Sequence, residues 1–137
     1  MSIESIGTAL GVKLEGISGL RVYNPAELPK SIKEFPCALI MPGEINYHDT
    51  MGGASYLTIN YRVIIAVSNQ DQPDKLNKLM DYIEPTGTYS VVAKVEADGT
   101  LGGTASDCIV LSNAGVGTTM WGGIALLSTE FVVQVFS

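Results

Sequence analysis

The sequence predicts an α+β fold: a mostly antiparallel β-sheet with two to three α-helices packed on one face, and one long β-hairpin. Three observations carry this. Tyr56–Ser68 and Ile124–Phe136 alternate two residue sets with the period of a strand. Two other stretches, near 2–15 and 73–83, space their apolar residues by three and four, the period of a helix. The order is helix, strands, helices, strands, as in folds that segregate helices from an antiparallel sheet.

Residues 2–15 read as a helix with Ile3, Ile6, Leu10 and Leu14 on one stripe, Ser2 as cap and Glu4 at the positive end of the dipole. Gly7 and Gly11 weaken it by roughly 1 kcal/mol each relative to Ala. Burying four apolar side chains returns on the order of 6–12 kcal/mol. The helix therefore exists by docking on a sheet, and Gly16 or Gly19 ends it.

A short strand, Leu20–Tyr23, leads into a loop marked by Asn24, Pro25 and Pro29. The next strand, Cys37–Met41, lies between Pro36 and Pro42, which suit strand ends rather than a central position. Residues 43–54 read as a hairpin connection closing on Gly52-Gly53, exposed at its tip. In Tyr56–Ser68, Leu57, Ile59, Tyr61, Val63, Ile65 and Val67 form an apolar face. The opposite face is polar at first and apolar after Ile64, so only its second half is covered on both sides.

A second helix starts near Pro73, with Asp71 or Gln72 as cap, and buries Leu76, Leu79, Met80 and Ile83 before Pro85 and Gly87 stop it. Residues 90–97 read as a short third helix, capped by Thr88 or Ser90, with Val91, Val92 and Val95 inward. Turns follow at Asp98-Gly99 and Gly102-Gly103. Cys108–Leu111 is a strand, 112–123 an irregular segment, and Ile124–Phe136 a closing strand able to pair antiparallel with 56–68. On it Ala125, Leu127, Thr129, Phe131, Val133 and Val135 share one face, and Ser128, Glu130 and Gln134 the other.

The 137 residues suit one domain spanning 1–137. Charged residues make up 16% of the chain, against roughly 25% in ordinary domains. Neutral surface of that extent favours packing against copies or partners, although a monomer with a Ser/Thr/Gly surface satisfies the same count. The net charge of −6 opposes nucleic acid and anionic lipid, yet suits the wall of a channel through which DNA slides. The opening MSIESIGTAL has no basic segment before an apolar run, so no signal peptide is expected. No apolar run approaches the ~20 residues of a membrane span. Cys37 and Cys108 sit in apolar strand-like runs and are expected to be buried free thiols.

Residues that carry chemistry are scarce. His48 is the one histidine, and Asp49 beside it would point to the other face of a strand, which disfavours a relay. Gly115-Val116-Gly117 follows a strand but lacks the third glycine and the helix of a dinucleotide loop. Asp71, Asp74 and Asp81 have no glycine-centred calcium loop. No catalytic residue, metal or cofactor is expected, and function falls to surfaces. The candidate interface residues are Tyr47, His48, Asp49, Met51 and Tyr56 around the hairpin, and Trp121 beside Gly122-Gly123, which equally suits a core.

The order of features also resembles a family. An amphipathic helix leads to Gly19-Leu20-Arg21-Val22-Tyr23 and Phe35-Pro36-Cys37-Ala38, then a long strand, then Glu84-Pro85-Thr86-Gly87 before Ser90-Val91, then WGGIALLSTEFVVQV. Over nearly its whole length the chain is similar to the tail terminator, or tail-completion (head–tail joining), proteins of long-tailed phages. The resemblance implies a structural virion protein and not an enzyme. Such proteins form a ring, usually a hexamer, that caps the tail tube, ends its polymerisation and offers a surface to the head connector. Its partners would be further copies of itself, the tail tube protein and head–tail connector proteins. DNA would pass through the lumen without specific binding, and no membrane is involved. The place would be the head-proximal end of the virion tail, after assembly in the host cytoplasm. The alternative is a small oligomeric ligand-binding or other assembly module of non-phage origin.

Overall fold

A computed structural model describes residues 3–25, 28–30, 32, 34–51, 54–69, 76–97, 101 and 107–136; the side chains of 48–51, 54–56 and 69 lie outside that description. The elements are α1 (Ile3–Leu14), β1 (Arg21–Tyr23), β2 (Cys37–Met51), β3 (Ala54–Asn69), α2 (Leu76–Ile83), α3 (Val91–Glu96), β4 (Asp107–Trp121) and β5 (Ile124–Phe136). The five strands form one sheet in the order β1-β2-β3-β5-β4. All pairings are antiparallel except β1 with β2. This is the expected α+β class.

The alternation in β3 sorts two cores. Ile59, Tyr61, Val63, Ile65 and Val67 meet Phe131, Val133 and Val135 of β5 on one face. Ile6, Leu10 and Leu14 of α1, Leu79 and Tyr82 of α2, and Val91 and Val95 of α3 pack over them. All three helices thus cover the same side. On the other face, Ile64 and Ala66 join Cys37, Leu39, Leu126 and Ile32, beneath Tyr23, Leu28, Phe35 and Trp121. Loop residues rather than helices close this smaller core. It occupies the second half of β3, where the sequence predicts cover on both sides.

The glycines of α1 have a packing reason that composition hides. A Cβ at Gly11 would lie 1.8 Å from the Asn24 Oδ1, and one at Gly7 would lie 2.7 Å from the Pro25 Cγ. The small faces let the loop after β1 lie against the helix, and the Tyr61 hydroxyl donates to the Ile3 carbonyl beneath it. Ser90 caps α3 as expected: its Oγ accepts from the Ala93 N–H at 3.1 Å and donates to the Glu84 carbonyl at 2.5 Å. Ser2, Asp71, Gln72 and Pro73, and the turns at 98–99 and 102–103, lie outside the described residues.

Three expectations are corrected. Residues 43–51 are not a connection but the continuation of β2, paired with β3 out to Met51 opposite Ala54. Pro42 is therefore inside a strand. β1 ends opposite Leu39, so β2 beyond it is an edge, and a register shift follows between Pro42 and Ile45. Edges and bulges are where a strand tolerates proline. Residues 112–121 are likewise not irregular but belong to β4, which runs to Trp121 opposite Ile124. Gly122 (φ 59°) and Gly123 (φ 80°) form the two-residue turn, and positive φ at both centres is what a tight hairpin demands. Finally, α2 buries Leu79 and Tyr82, leaving Leu76 and Met80 exposed.

Candidate functional site

The register places the two hairpin ends at opposite ends of the sheet. β3 pairs with β5 from Thr58 opposite Phe136 to Asn69 opposite Leu126. Residues 54–57 of β3 therefore run past the end of β5, with β2 as their one strand neighbour among the described residues. At about 3.3 Å per residue this two-stranded arm reaches roughly 13 Å beyond the sheet. The arm carries five of the six candidate residues. Tyr47 is 65% exposed. Asp49 lies opposite Tyr56 in the ladder, and Met51 closes it opposite Ala54. The side chains of His48, Asp49, Met51 and Tyr56 fall outside the described residues. A register shift separates Asn46 from Asp49, so regular strand alternation does not hold across Tyr47 and His48.

Trp121 is at the other end. Its indole Nε1–H donates to the Pro29 carbonyl at 2.9 Å, and its ring packs on the smaller core. It ties the β4–β5 turn to the loop before β2, so the structure does not bring it to the arm.

Between α2 and β4 lies a feature that sequence reasoning missed. An open groove of about 470 Å³ is lined by Leu76, Met80, Ile83, Glu84 and Pro85 from the α2 side and by Asn113, Gly115 and Val116 of β4. Leu76, Met80 and Ile83 are the very stripe expected to face the core. Helical spacing shows that a face is apolar, not what it meets. The β4 wall is shaped by a bulge between Asn113 and Val116. The buried Thr129 hydroxyl donates to the Gly115 carbonyl at 2.8 Å and accepts from the Asn113 amide at 2.8 Å. The Asn113 Oδ1 accepts the Gly115 N–H at 2.7 Å, and Gly115 takes a φ of 84°.

The titratable groups are structural in setting. Burial pushes the Cys37 thiol up to about 12, and a thiol so placed carries little thiolate at neutral pH. Burial likewise raises the Tyr61 and Tyr82 phenols to about 12. Arg62 and Glu130 pair across β3 and β5 at 2.7 Å on the face away from the helices, and that bond raises the Arg62 pKa. Cys37 and Cys108 are both buried thiols, one in each core. Among the described residues no three His, Cys, Asp or Glu side chains gather as metal ligands would. No described helix is long and apolar enough to cross a membrane. Compared with known proteins, the chain matches no family model and no curated sequence.

Proposed function

We propose that the chain is a structural assembly protein that forms a ring, through its arm rather than by chemistry of its own, at the head-proximal end of a long-tailed phage tail. In this reading the ring, six copies around the tube axis, ends tube polymerisation and receives the head connector. The observation that supports it is the two-stranded β2–β3 arm, which leaves the body of the sheet with Tyr47 exposed. An arm with open backbone edges offers a neighbour a strand to contact. The resemblance in the order of sequence features supplies the phage context, and the net charge of −6 suits a lumen that lets DNA slide.

The test is mass by light scattering over a concentration series, with negative-stain images, for the chain and a variant whose residues 46–51 are Gly and Ser. The expected assembly is a ring of six times 14.5 kDa for the parent. The variant should fold, lose the ring and fail to complete tails in a complementation assay. Normal infectious particles from the variant would overturn the reading.

A further inference from the structure

We propose that the outer edge of β4, from Val116 to Trp121, is a twofold contact surface through which two copies of this chain pair strand to strand. This contact is independent of the ring reading and uses the opposite margin of the sheet from the arm.

Beyond the bulge, β4 pairs with β5 in unbroken register from Val116 opposite Thr129 to Trp121 opposite Ile124. In a hairpin with a two-residue turn, the residues flanking the turn exchange hydrogen bonds, and every second residue back from them does the same. Trp121, Thr119 and Gly117 thus point their backbone groups at β5. Val116, Thr118 and Met120 point theirs outward, and β4 is the last strand of the sheet. Nearer the start of β4 the structure supplies cover: the Glu96 carboxylate accepts the Val110 N–H at 3.0 Å. Among the described residues no such cap is seen on the stretch 116–121, which contains no proline and no charged residue. Edges left open to solvent are usually guarded by such residues.

The occupant follows from self-complementarity. In an antiparallel pair centred on Thr118, the outward groups of Thr118 meet those of Thr118 in the second copy. Val116 meets Met120, and Met120 meets Val116. Every outward backbone group finds an outward partner, as an isologous interface requires. The side chains agree. Val116 lines the groove, so Thr118 and Met120, two and four residues on, share its face. Met120 is 64% exposed. The twofold sets the second copy's Met120 beside this copy's Val116, at the largely apolar groove that Val116 lines together with Leu76 and Met80. A flexible thioether suits such an irregular apolar site.

The test is cysteine cross-linking with copper phenanthroline as oxidant; both native thiols are buried and stay silent. Thr118→Cys should give a disulfide-linked dimer at least tenfold faster than Thr119→Cys, whose side chain faces the Ser128 hydroxyl at 2.6 Å on the other face. Val116→Cys and Met120→Cys should each cross-link poorly alone but well when mixed. Thr118→Pro removes one outward N–H without touching the β5 pairing. It should raise the dimer dissociation constant at least tenfold while its circular dichroism stays that of the parent. Equal rates at 118 and 119, no gain on mixing, or a strict monomer at every concentration would each overturn the twofold. A hexamer unchanged by Thr118→Pro, with no Thr118→Cys dimer, would overturn it while leaving the ring reading standing.

Discussion

The two long hairpins are built alike and end differently. β2–β3 and β4–β5 each join strands of thirteen to sixteen residues. The β4–β5 turn is held down by the Trp121 indole on the Pro29 carbonyl. The β2–β3 end continues past its neighbours as an arm. One hairpin spends an aromatic on internal anchoring; the other presents an aromatic, Tyr47, to solvent. Equal length does not imply equal role: what decides is whether the last residues have a third strand or a loop to lie against.

The strongest way to break the comparison is at the base the hairpins share. Phe131 of β5 lies opposite Val63 of β3 and is fully buried. Phe131→Ala should cost about 3–5 kcal/mol in urea denaturation, through lost burial and a residual cavity. Both hairpins should lose protection in hydrogen exchange together.

Alkali should act next. Cys37, Tyr61 and Tyr82 hold their protons up to about 12 in the fold. In the unfolded chain they release them near their ordinary values of 9.0 for the thiol and 10.0 for the phenols. Between those values the native state binds more protons, so stability falls as pH rises. Each group adds a slope of at most roughly 1.4 kcal/mol per pH unit. Denaturation midpoints should be insensitive to these three groups below pH 9 and drop between pH 9 and 12. Cys37→Ala should remove the earliest part of that drop.

Smaller changes separate the two ends. Trp121→Phe keeps a ring but removes the N–H donor, leaving the Pro29 carbonyl without it. It should cost about 1 kcal/mol. Gly123→Ala forces a side chain onto a φ of 80° and should cost about 1–2 kcal/mol at the same turn. Tyr47→Ala on the arm should change stability by less than about 0.5 kcal/mol. A loss as large as that at Trp121 would show that the arm, too, is held from within.

Legibility followed burial. β3 and β5 could be read because one face of each is buried along most of its length, which enforces a period of two. β4 could not. As the outer strand it shows solvent most of its residues, so SNAGVGTTM carries no alternation, and its glycines suggested a loop. Gly115 in fact serves a bulge and Gly122-Gly123 a turn. Pro42 argues against a central strand, but β2 is an edge by then and tolerates it. In α2 the stripe at Leu76, Met80 and Ile83 was visible, but Tyr82 competes for the core and wins, edge-on to Tyr89 at 6.1 Å between ring centres. Of the candidate residues, the hairpin set was found together because sequence neighbours on a hairpin stay neighbours. The groove was not, because its walls come from segments some forty residues apart.

The placement of the two thiols, one in each core, gives the molecule a pair of independent chemical clocks. Cys108 is sealed under α3, with its Sγ 3.8 Å from the Val95 carbonyl, while Cys37 is sealed under the loop that precedes its strand. An alkylating reagent reaches either one only when its own cover lifts. If the cover formed by Leu28, Ile32 and Phe35 lifts without the helices, Cys37 is labelled first and Cys108 lags. If the sheet is uncovered in one event, mass spectrometry finds both labels on the same molecules at the same rate.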